Sequence, residues 1–345
     1  MSETGLVFLS ETMERPSGDA TQRIDTDMQM VLTTLGRLGA RPLELTSHAA
    51  ARRQPQLRDA LAAITARQAR APSDDGIETE DLTVDGAEDD LPARLYRPQG
   101  LLERLNPVIL YFHGGGFVTG DLDSHDASAR ALARRSGALV LSVAYRLAPE
   151  ARFPAAHEDA YAAWRWLVRS AATFGGDPRR MAVAGEDAGA NLAMNIALRA
   201  RDEHLAQPVH QLLIHPIAGS DFTRASYKQM VRMRPMGMPA MQWRLRHGFA
   251  ERGQIEDARI NLCQREDLSG LPPTTLILAE LDPLRSEGEA LAEALEAADT
   301  QVNLTIYDGV TQGFFGLGLV VTKALFAEAE AAGALTHAFG MSRLS

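Results

Sequence analysis

The sequence predicts an α/β protein built on a mostly parallel sheet, and three observations lead to this fold class. The chain has 345 residues and 45% of them are apolar, which is enough material for one large core. From about residue 107 onward, short apolar runs alternate with segments of helical periodicity. The runs are nearly continuous in apolar residues, as is typical of strands covered on both faces. Together these features indicate a sheet with helices on both sides.

Eight segments have the composition of strands. The first two alternate in polarity around a Gly- and Asp-rich connection, and the other six are largely apolar. The predicted strands are Ile77–Val84, Pro92–Arg97, Pro107–Phe112, Ala138–Val143, Met181–Ala184, Gln211–Ile214, Thr274–Ala279 and Val302–Tyr307. Helices are predicted between most of them, for example over Ala160–Val168 and Leu284–Ala298. In such sheets the functional groups gather at the carboxyl ends of the strands.

Two further regions are predicted to cover that end of the sheet. Apolar residues recur at helical spacing over residues 21–70, and residues 71–76 have the composition of a linker. Residues 220–257 interrupt the strand–helix alternation. We therefore expect N-terminal cap helices within residues 1–75 and a core over residues 76–345, with residues 220–257 as a second cap segment.

Composition and charge exclude several classes of function. The net charge of −10 and the pI of about 5.4 disfavour nucleic acid and anionic membranes as partners. Cys263 is the only cysteine, so no intramolecular disulfide can form. The sequence shows no secretory signal, no apolar run long enough to span a membrane, no zinc-ligand spacing and no dinucleotide fingerprint after the first strand. We expect a cytoplasmic protein, which could form a homodimer, that binds a small molecule and uses no metal or cofactor.

Two glycine-rich motifs lie at the ends of predicted strands. His113–Phe117 directly follows an apolar strand, and its successive glycines let backbone N–H groups face a site without obstruction, as an oxyanion hole requires. Gly185–Asn191 has the glycine spacing of the nucleophile elbow G-x-S-x-G, a tight strand-to-helix turn. Asp187 occupies the position of the serine in that motif.

On these motifs the chain resembles the hormone-sensitive-lipase-like branch of bacterial carboxylesterases, an α/β-hydrolase family. The resemblance covers roughly residues 80–335. It is carried by His113–Phe117, Tyr145–Glu150, Phe153–Ala156 with Glu158 and Asp159, Gly185–Asn191 and Ala279–Arg285. It implies an α/β-hydrolase fold with an eight-stranded, mostly parallel sheet and a helical cap.

The resemblance also implies roles for individual residues. Gly115, Gly116 and the N–H group of Ala188 match the oxyanion hole of the family, and Asp282 matches the acid of its catalytic triad. Near Gly309–Phe314 the sequence resembles the loop that carries the catalytic histidine.

Two positions depart from the family pattern. Asp187 stands at the position of the nucleophilic serine, and Gln312 stands at the position of the histidine. Gln312 cannot titrate, so it cannot act as the general base that the usual route requires. Asp187 could attack carbon, but turnover should stall without a base that activates water. N–H donors at the elbow should stabilise the Asp187 carboxylate, and a second carboxylate at Asp282 should raise one pKa of the pair.

Three functions remain open on this reasoning. The first is a non-hydrolytic acid/base enzyme of lyase, cyclase or decarboxylase type, in which Asp187 acts on a small carbonyl-containing substrate. The second is a ligand-binding pseudoenzyme. The third is a carboxylic-ester hydrolase with a non-standard nucleophile and base. We take the first as the expectation, and with it the absence of ordinary esterase activity.

Other residues are candidates for contacts with the substrate. His215 follows a predicted strand, so it is either a substitute base or a packed histidine. Met236 and Met238 belong to a methionine-rich run that would either line an adaptable pocket or pack within the cap. Arg232 and Arg234 interleave with that run, and they would either meet an acidic substrate or face solvent.

Overall fold

The protein is centred on one eight-stranded sheet, seen in a computed structural model that describes residues 23–67, 76–101 and 105–341. Its strands are β1 (Ile77–Val84), β2 (Leu91–Pro98), β3 (Asn106–Phe112), β4 (Leu139–Val143), β5 (Gly176–Glu186), β6 (Gln211–Ile214), β7 (Thr274–Leu281) and β8 (Val302–Thr311). The strand order is β1-β2-β4-β3-β5-β6-β7-β8. Strand β2 runs antiparallel to both of its neighbours and all other pairs are parallel. The predicted sheet is therefore confirmed.

The central strands are apolar because helices cover both of their faces. Strands β3 and β4 are buried along nearly their whole length. The helices are α1 (Thr26–Arg37), α2 (His48–Arg53), α3 (Leu57–Arg67), α4 (Asp126–Ser136), α5 (Ala155–Ser170), α6 (Ala188–Asp202), α7 (Ala225–Gln229), α8 (Met238–Gly248), α9 (Arg285–Ala297) and α10 (Thr322–Ala338). Helices α5, α6 and α9 pack in one apolar cluster, and α1, α3, α4 and α10 pack in a second one.

The two predicted cap segments are helical and contact each other. Helices α1 to α3 lie within residues 21–70, and α7 and α8 lie within residues 220–257. The indole N–H of Trp243 in α8 donates to the backbone oxygen of Thr46, at 2.9 Å. The linker predicted at residues 71–76 lies almost entirely outside the described residues. The division into cap and core stays a prediction.

Within the described ranges, no helix combines the length and apolar character needed to cross a bilayer. The cytoplasmic location stays a prediction.

Candidate active site

The turn between β5 and α6 has the backbone geometry of an elbow. Asp187 has φ 55° and ψ −114°, a strained conformation for a residue with a side chain. A Cβ atom on Gly185 would lie 2.2 Å from the carbonyl carbon of Gly189, and one on Gly189 would lie 2.0 Å from the backbone oxygen of Phe112. Only glycine fits at either position. The two glycines therefore let the turn close tightly and raise the Asp187 side chain above the strand ends.

The carboxylate of Asp187 is bound by the glycine loop after β3. The N–H groups of Gly115 and Gly116 both donate to its Oδ2 at 2.8 Å. The side chain does not cap α6, which begins at Ala188. The N–H donors therefore come from the loop predicted as an oxyanion hole, and in this structure they hold the protein's own carboxylate.

Arg244 of α8 forms an ion pair with this carboxylate. Its Nη1 lies 3.0 Å from Oδ2 and 3.1 Å from Oδ1 of Asp187. Arg244 is 8% exposed and Asp187 is 3% exposed, so the pair is almost completely removed from water. A Cβ atom on Gly116 would lie 2.3 Å from the Cδ of Arg244, so this glycine also makes room for the arginine. The sequence analysis missed Arg244, which lies in the predicted cap segment but belongs to no motif.

Gln312 follows β8 and approaches the same carboxylate. Its side-chain nitrogen Nε2 lies 3.4 Å from Oδ1 of Asp187, at the long limit of a hydrogen bond. The Gln312 amide therefore orients one oxygen of Asp187. An amide in this place donates a hydrogen bond but does not take up a proton.

Asp282 lies behind the site and is completely buried after β7. Its Oδ1 accepts a hydrogen bond from the N–H of Leu284 at 2.9 Å, and among the described residues its Oδ2 has no partner. Burial, and after it the charge of Asp187, raises the pKa of Asp282 to about 8. The direction of this shift agrees with the expectation, but burial is a larger cause than repulsion by Asp187. A pKa of about 8 favours the protonated form of Asp282 at neutral pH.

His215 follows β6 and uses both ring nitrogens in the structure. Its Nδ1 lies 2.8 Å from the backbone oxygen of Ile214, and its Nε2 accepts the N–H of Gly313 at 3.2 Å. Burial lowers the pKa of His215 to about 4, so the ring is neutral at pH 7. Because both ring nitrogens are engaged, the structure favours a packed histidine at position 215 over a substitute base.

Glu186, directly before the elbow, is a second buried carboxyl at the site. The hydroxyl of Tyr111 donates to its Oε1 at 2.6 Å, and its Oε2 lies 3.7 Å from Nε2 of His215. Burial raises the pKa of Glu186 to about 7. The sequence analysis gave Glu186 no functional role, although a glutamate at the end of a buried strand is a signal that could have drawn attention to it.

A cavity of about 460 Å³ opens in front of Asp187. Such a volume is typical of sites for small molecules. Of the candidate residues, six line it and Arg232 does not; the six are Gly115, Asp187, His215, Arg234, Met236 and Gln312. Met238, proposed from the sequence as a substrate contact, does not line it and packs against the apolar core. Gly116, Ala188 and Asp282 also lie outside its lining.

Comparison with known proteins identifies the family. Residues 109–316 match the model of an alpha/beta hydrolase fold family. Ethyl acetate hydrolase of Pseudomonas putida is 36% identical over 276 residues, covering 79% of this chain and 85% of that protein. Carboxylesterase NlhH of Mycobacterium tuberculosis is 38% identical over 270 residues, covering 76% of this chain and 82% of that protein. The chain therefore belongs to this alpha/beta hydrolase family, in its carboxylesterase-like branch.

Solved structures give the same result. The thermostable esterase of Pseudomonas putida ECU1011 superposes with a TM-score of 0.80 at 31% identity, covering 94% of this chain and 99% of that one. An ester hydrolase from the metagenome of Lake Arreo superposes with a TM-score of 0.82 at 32% identity, covering 92% of this chain and 100% of that one.

These relatives correct the functional expectation. A reaction of lyase, cyclase or decarboxylase type was wrong as the main interpretation, and so was the expectation that ordinary esterase activity is absent. The relatives by sequence and by structure are named as esterases or ester hydrolases, which supports the carboxylic-ester hydrolase held as an alternative. The identities of Asp187 and Gln312 were therefore not sufficient grounds for excluding esterase chemistry.

Proposed function

We propose that this protein is a carboxylic-ester hydrolase in which the carboxylate of Asp187 takes the part of the nucleophile. The observation that carries the proposal is the placement of that carboxylate. Asp187 is raised on an elbow at the edge of a 460 Å³ cavity, within 2.8 Å of two backbone N–H groups. The names of the relatives support the same reaction class.

The proposal includes the interpretation that Asp187 and Gln312 occupy the places of the family's serine and histidine. The elbow glycines and the strand ends support it, because Asp187 follows β5 and Gln312 follows β8. The approach of their side-chain atoms to 3.4 Å supports it as well.

A carboxylate nucleophile performs hydrolysis in two steps. An oxygen of Asp187 attacks the ester carbonyl carbon, and the alcohol portion leaves with the electron pair of the broken C–O bond. The product is a mixed anhydride between Asp187 and the acyl group. Water then attacks the anhydride, which regenerates the carboxylate and releases the acid, with the proton passing to solvent. An anhydride reacts with water far more readily than an ester does, so the second step depends less on a general base.

The oxyanion loop has to change occupant during this reaction. In the free protein the N–H groups of Gly115 and Gly116 bind Oδ2 of Asp187. When an ester enters, its carbonyl oxygen would take these two donors, while Arg244 and Gln312 keep hold of the carboxylate. Substrate thus competes with Asp187 for the loop. This competition should weaken binding of the substrate and favour the charge that develops in the transition state.

The site restricts the leaving group. Gln312 has no proton to give at ordinary pH, and both nitrogens of His215 are engaged. The Glu186 carboxyl is held away from Asp187 by Tyr111 on one oxygen and lies beside His215 with the other, so we do not assign it the role of acid. An alkoxide would therefore leave unprotonated, and the tetrahedral intermediate would expel the more stable carboxylate of Asp187 instead. Phenolates and enolates leave without protonation. The expected substrates are aryl and enol esters of small carboxylic acids.

A series of acetate esters tests the proposal. Initial rates would be measured for 4-nitrophenyl, phenyl and ethyl acetate with the wild-type protein and with Asp187→Asn, purified in the same way to control for contaminating esterase. We expect turnover that falls steeply from the first ester to the third. Loss of the nucleophile should lower the rate on 4-nitrophenyl acetate by about 10²-fold or more. Equal rates on aryl and alkyl esters would contradict a carboxylate nucleophile. Equal rates for the two proteins would remove Asp187 from the reaction.

A further inference from the structure

The cavity in front of Asp187 is lined by an excess of cationic side chains. Four arginines line it, against two acidic residues. The arginines are Arg41, Arg58, Arg234 and Arg244. The excess is unexpected because the whole chain carries a net charge of −10. The positive lining is therefore a local feature of this cavity.

The two acidic residues do not balance these arginines. Asp187 already forms its ion pair with Arg244. Glu186 is buried, and its pKa of about 7 leaves a large part of it neutral at pH 7. Three arginines in the lining therefore have no carboxylate partner within the lining itself.

Carboxylates outside the lining approach two of these three arginines. Arg234 pairs with Glu44 at 3.0 Å, and the arginine side chain is 52% exposed while that of Glu44 is 15% exposed. The Arg58 guanidinium lies 3.6 Å from Asp121, 3.8 Å from Asp123 and 3.9 Å from Asp59, and these three carboxylate side chains are 44 to 63% exposed. For the Arg41 guanidinium, no ion pair is found among residues 23–67, 76–101 and 105–341. The contacts of Arg58 are exposed and longer than 3.5 Å, and pairs of this kind contribute about 0–1 kcal/mol, so an anionic ligand could displace them. In the pair of Arg234 the guanidinium is the exposed member, so a ligand could contact it without displacing Glu44.

The buried arginine at the inner end of the cavity also has unused capacity. The Nε of Arg244 is buried and has no hydrogen-bond partner among the described residues. It lies beside the oxyanion loop, because a Cβ atom on Gly116 would come within 2.7 Å of it. A buried N–H donor without a partner costs free energy that a bound acceptor would recover. This donor therefore favours a polar acceptor beside the oxyanion loop, next to Gly116.

We propose that the substrate is an anionic ester, one that carries a carboxylate in addition to the ester group, and that Arg41, Arg58 and Arg234 select it. The ester group would lie at Asp187 and Arg244, and the free carboxylate would lie toward the mouth of the cavity. These three residues, called the mouth arginines below, come from both cap segments: Arg41 and Arg58 lie within residues 21–70 and Arg234 lies within residues 220–257. This inference rests on the proposed function and adds the class of ester to it.

Two matched pairs of esters test the inference at low ionic strength. In the first pair the charge is on the acyl portion, with 4-nitrophenyl hemiglutarate compared with 4-nitrophenyl valerate. In the second pair it is on the leaving group, with 3-carboxyphenyl butyrate compared with 3-carbamoylphenyl butyrate. Spontaneous hydrolysis of each ester is subtracted. We expect kcat/KM to be at least about 10-fold higher for the anionic member of one pair, and the advantage to shrink as salt is raised to 0.5 M.

Single variants identify the selecting residues. Arg41→Gln, Arg58→Gln and Arg234→Gln should each lower the ratio of anionic to neutral kcat/KM by about 3- to 10-fold. Arg232→Gln is the matched control, because Arg232 is an exposed arginine two positions from Arg234 and does not line the cavity. Its ratio should equal that of the wild-type protein.

The outcomes separate this inference from the proposed function. Turnover of the neutral esters with no advantage for either anionic partner would overturn the inference and leave the esterase proposal in place. If Arg232→Gln lowers the ratio of anionic to neutral kcat/KM as much as the variants of Arg41, Arg58 and Arg234 do, the assignment of selectivity to these three arginines is overturned. Turnover of none of the four esters would overturn the proposed function. In that case a rise in melting temperature with glutarate, absent in Arg58→Gln, would still support an anion-selective cavity, and no rise would overturn it.

Discussion

Replacement of Arg244 by methionine should destabilise the protein through the charge that it leaves behind. The apolar stem of the side chain is kept in Arg244→Met, but the guanidinium 3.0 Å from Asp187 is lost. Removing one partner of a buried ion pair costs about 3–5 kcal/mol. Asp187 keeps its two backbone N–H donors at 2.8 Å, so we expect a loss of about 3 kcal/mol, at the lower end of that range.

The double variant separates this electrostatic cause from loss of packing. In Asp187→Asn with Arg244→Met, the amide oxygen can still accept from the glycine loop and no buried charge remains. We therefore expect the double variant to be more stable than Arg244→Met alone. The assay is urea denaturation, with the slope of the transition compared between variants. Arg234→Met is the matched control, because the Arg234 side chain is 52% exposed and its pair with Glu44 should contribute much less than the buried pair of Arg244. If the free energy of unfolding lost in the double variant equals the sum of the losses in the two single variants, the electrostatic explanation is refuted.

Three further predictions concern pH, the oxyanion loop and the triad positions. Asp282 has a pKa of about 8 in the folded protein against an ordinary value of 3.8, so the folded state binds the extra proton between these values. The free energy of unfolding should then fall as the pH rises from about 4 to about 8, and melting temperatures should show a smaller fall in Asp282→Asn; equal slopes would contradict the shift. Gly116→Ala should displace Arg244 and lower both melting temperature and esterase rate, because φ at Gly116 is +61° and the new methyl would lie 2.3 Å from the arginine Cδ; wild-type values for both would contradict this contact. Asp187→Ser combined with Gln312→His should extend turnover to ethyl acetate, with each single variant remaining poor, because a nucleophile and its base act as a unit; a folded double variant without this gain would show that the cavity has diverged as well.

Much of the fold could be predicted because strand signals are local. The prediction for β6, Gln211–Ile214, coincides with the observed strand. Strand β5 begins at Gly176, five residues earlier than predicted, because its first residues include the exposed Arg179 and the half-buried Arg180 and do not look like a buried strand. The pairing with β3 is also irregular over this stretch. Periodicity identifies the buried part of a strand and misses a polar, irregular end.

The site was predictable where its residues belong to motifs. Both Asp187 and the glycine loop were identified as site residues from the sequence, because each follows a predicted strand. The N–H donors that bind Asp187 were expected at the elbow, however, and in the structure they come from the glycine loop. Arg244 could not be predicted, because it reaches Asp187 from a cap helix 57 positions away in the chain and carries no local signature. The functional expectation failed for a related reason. It rested on what Asp187 and Gln312 lack relative to a serine and a histidine, and the ion pair between Arg244 and Asp187 could not be part of it.

The most direct test of the account is kcat/KM on 4-nitrophenyl acetate for the wild-type protein, for Asp187→Asn and for the control Arg232→Gln, prepared side by side. The account predicts multiple turnovers with the wild-type protein and the same kcat/KM for the control. For Asp187→Asn it predicts a kcat/KM that is reduced by about 10²-fold or more. Wild-type protein that turns the ester over no faster than buffer would contradict the account, and so would an Asp187→Asn variant that keeps the wild-type rate.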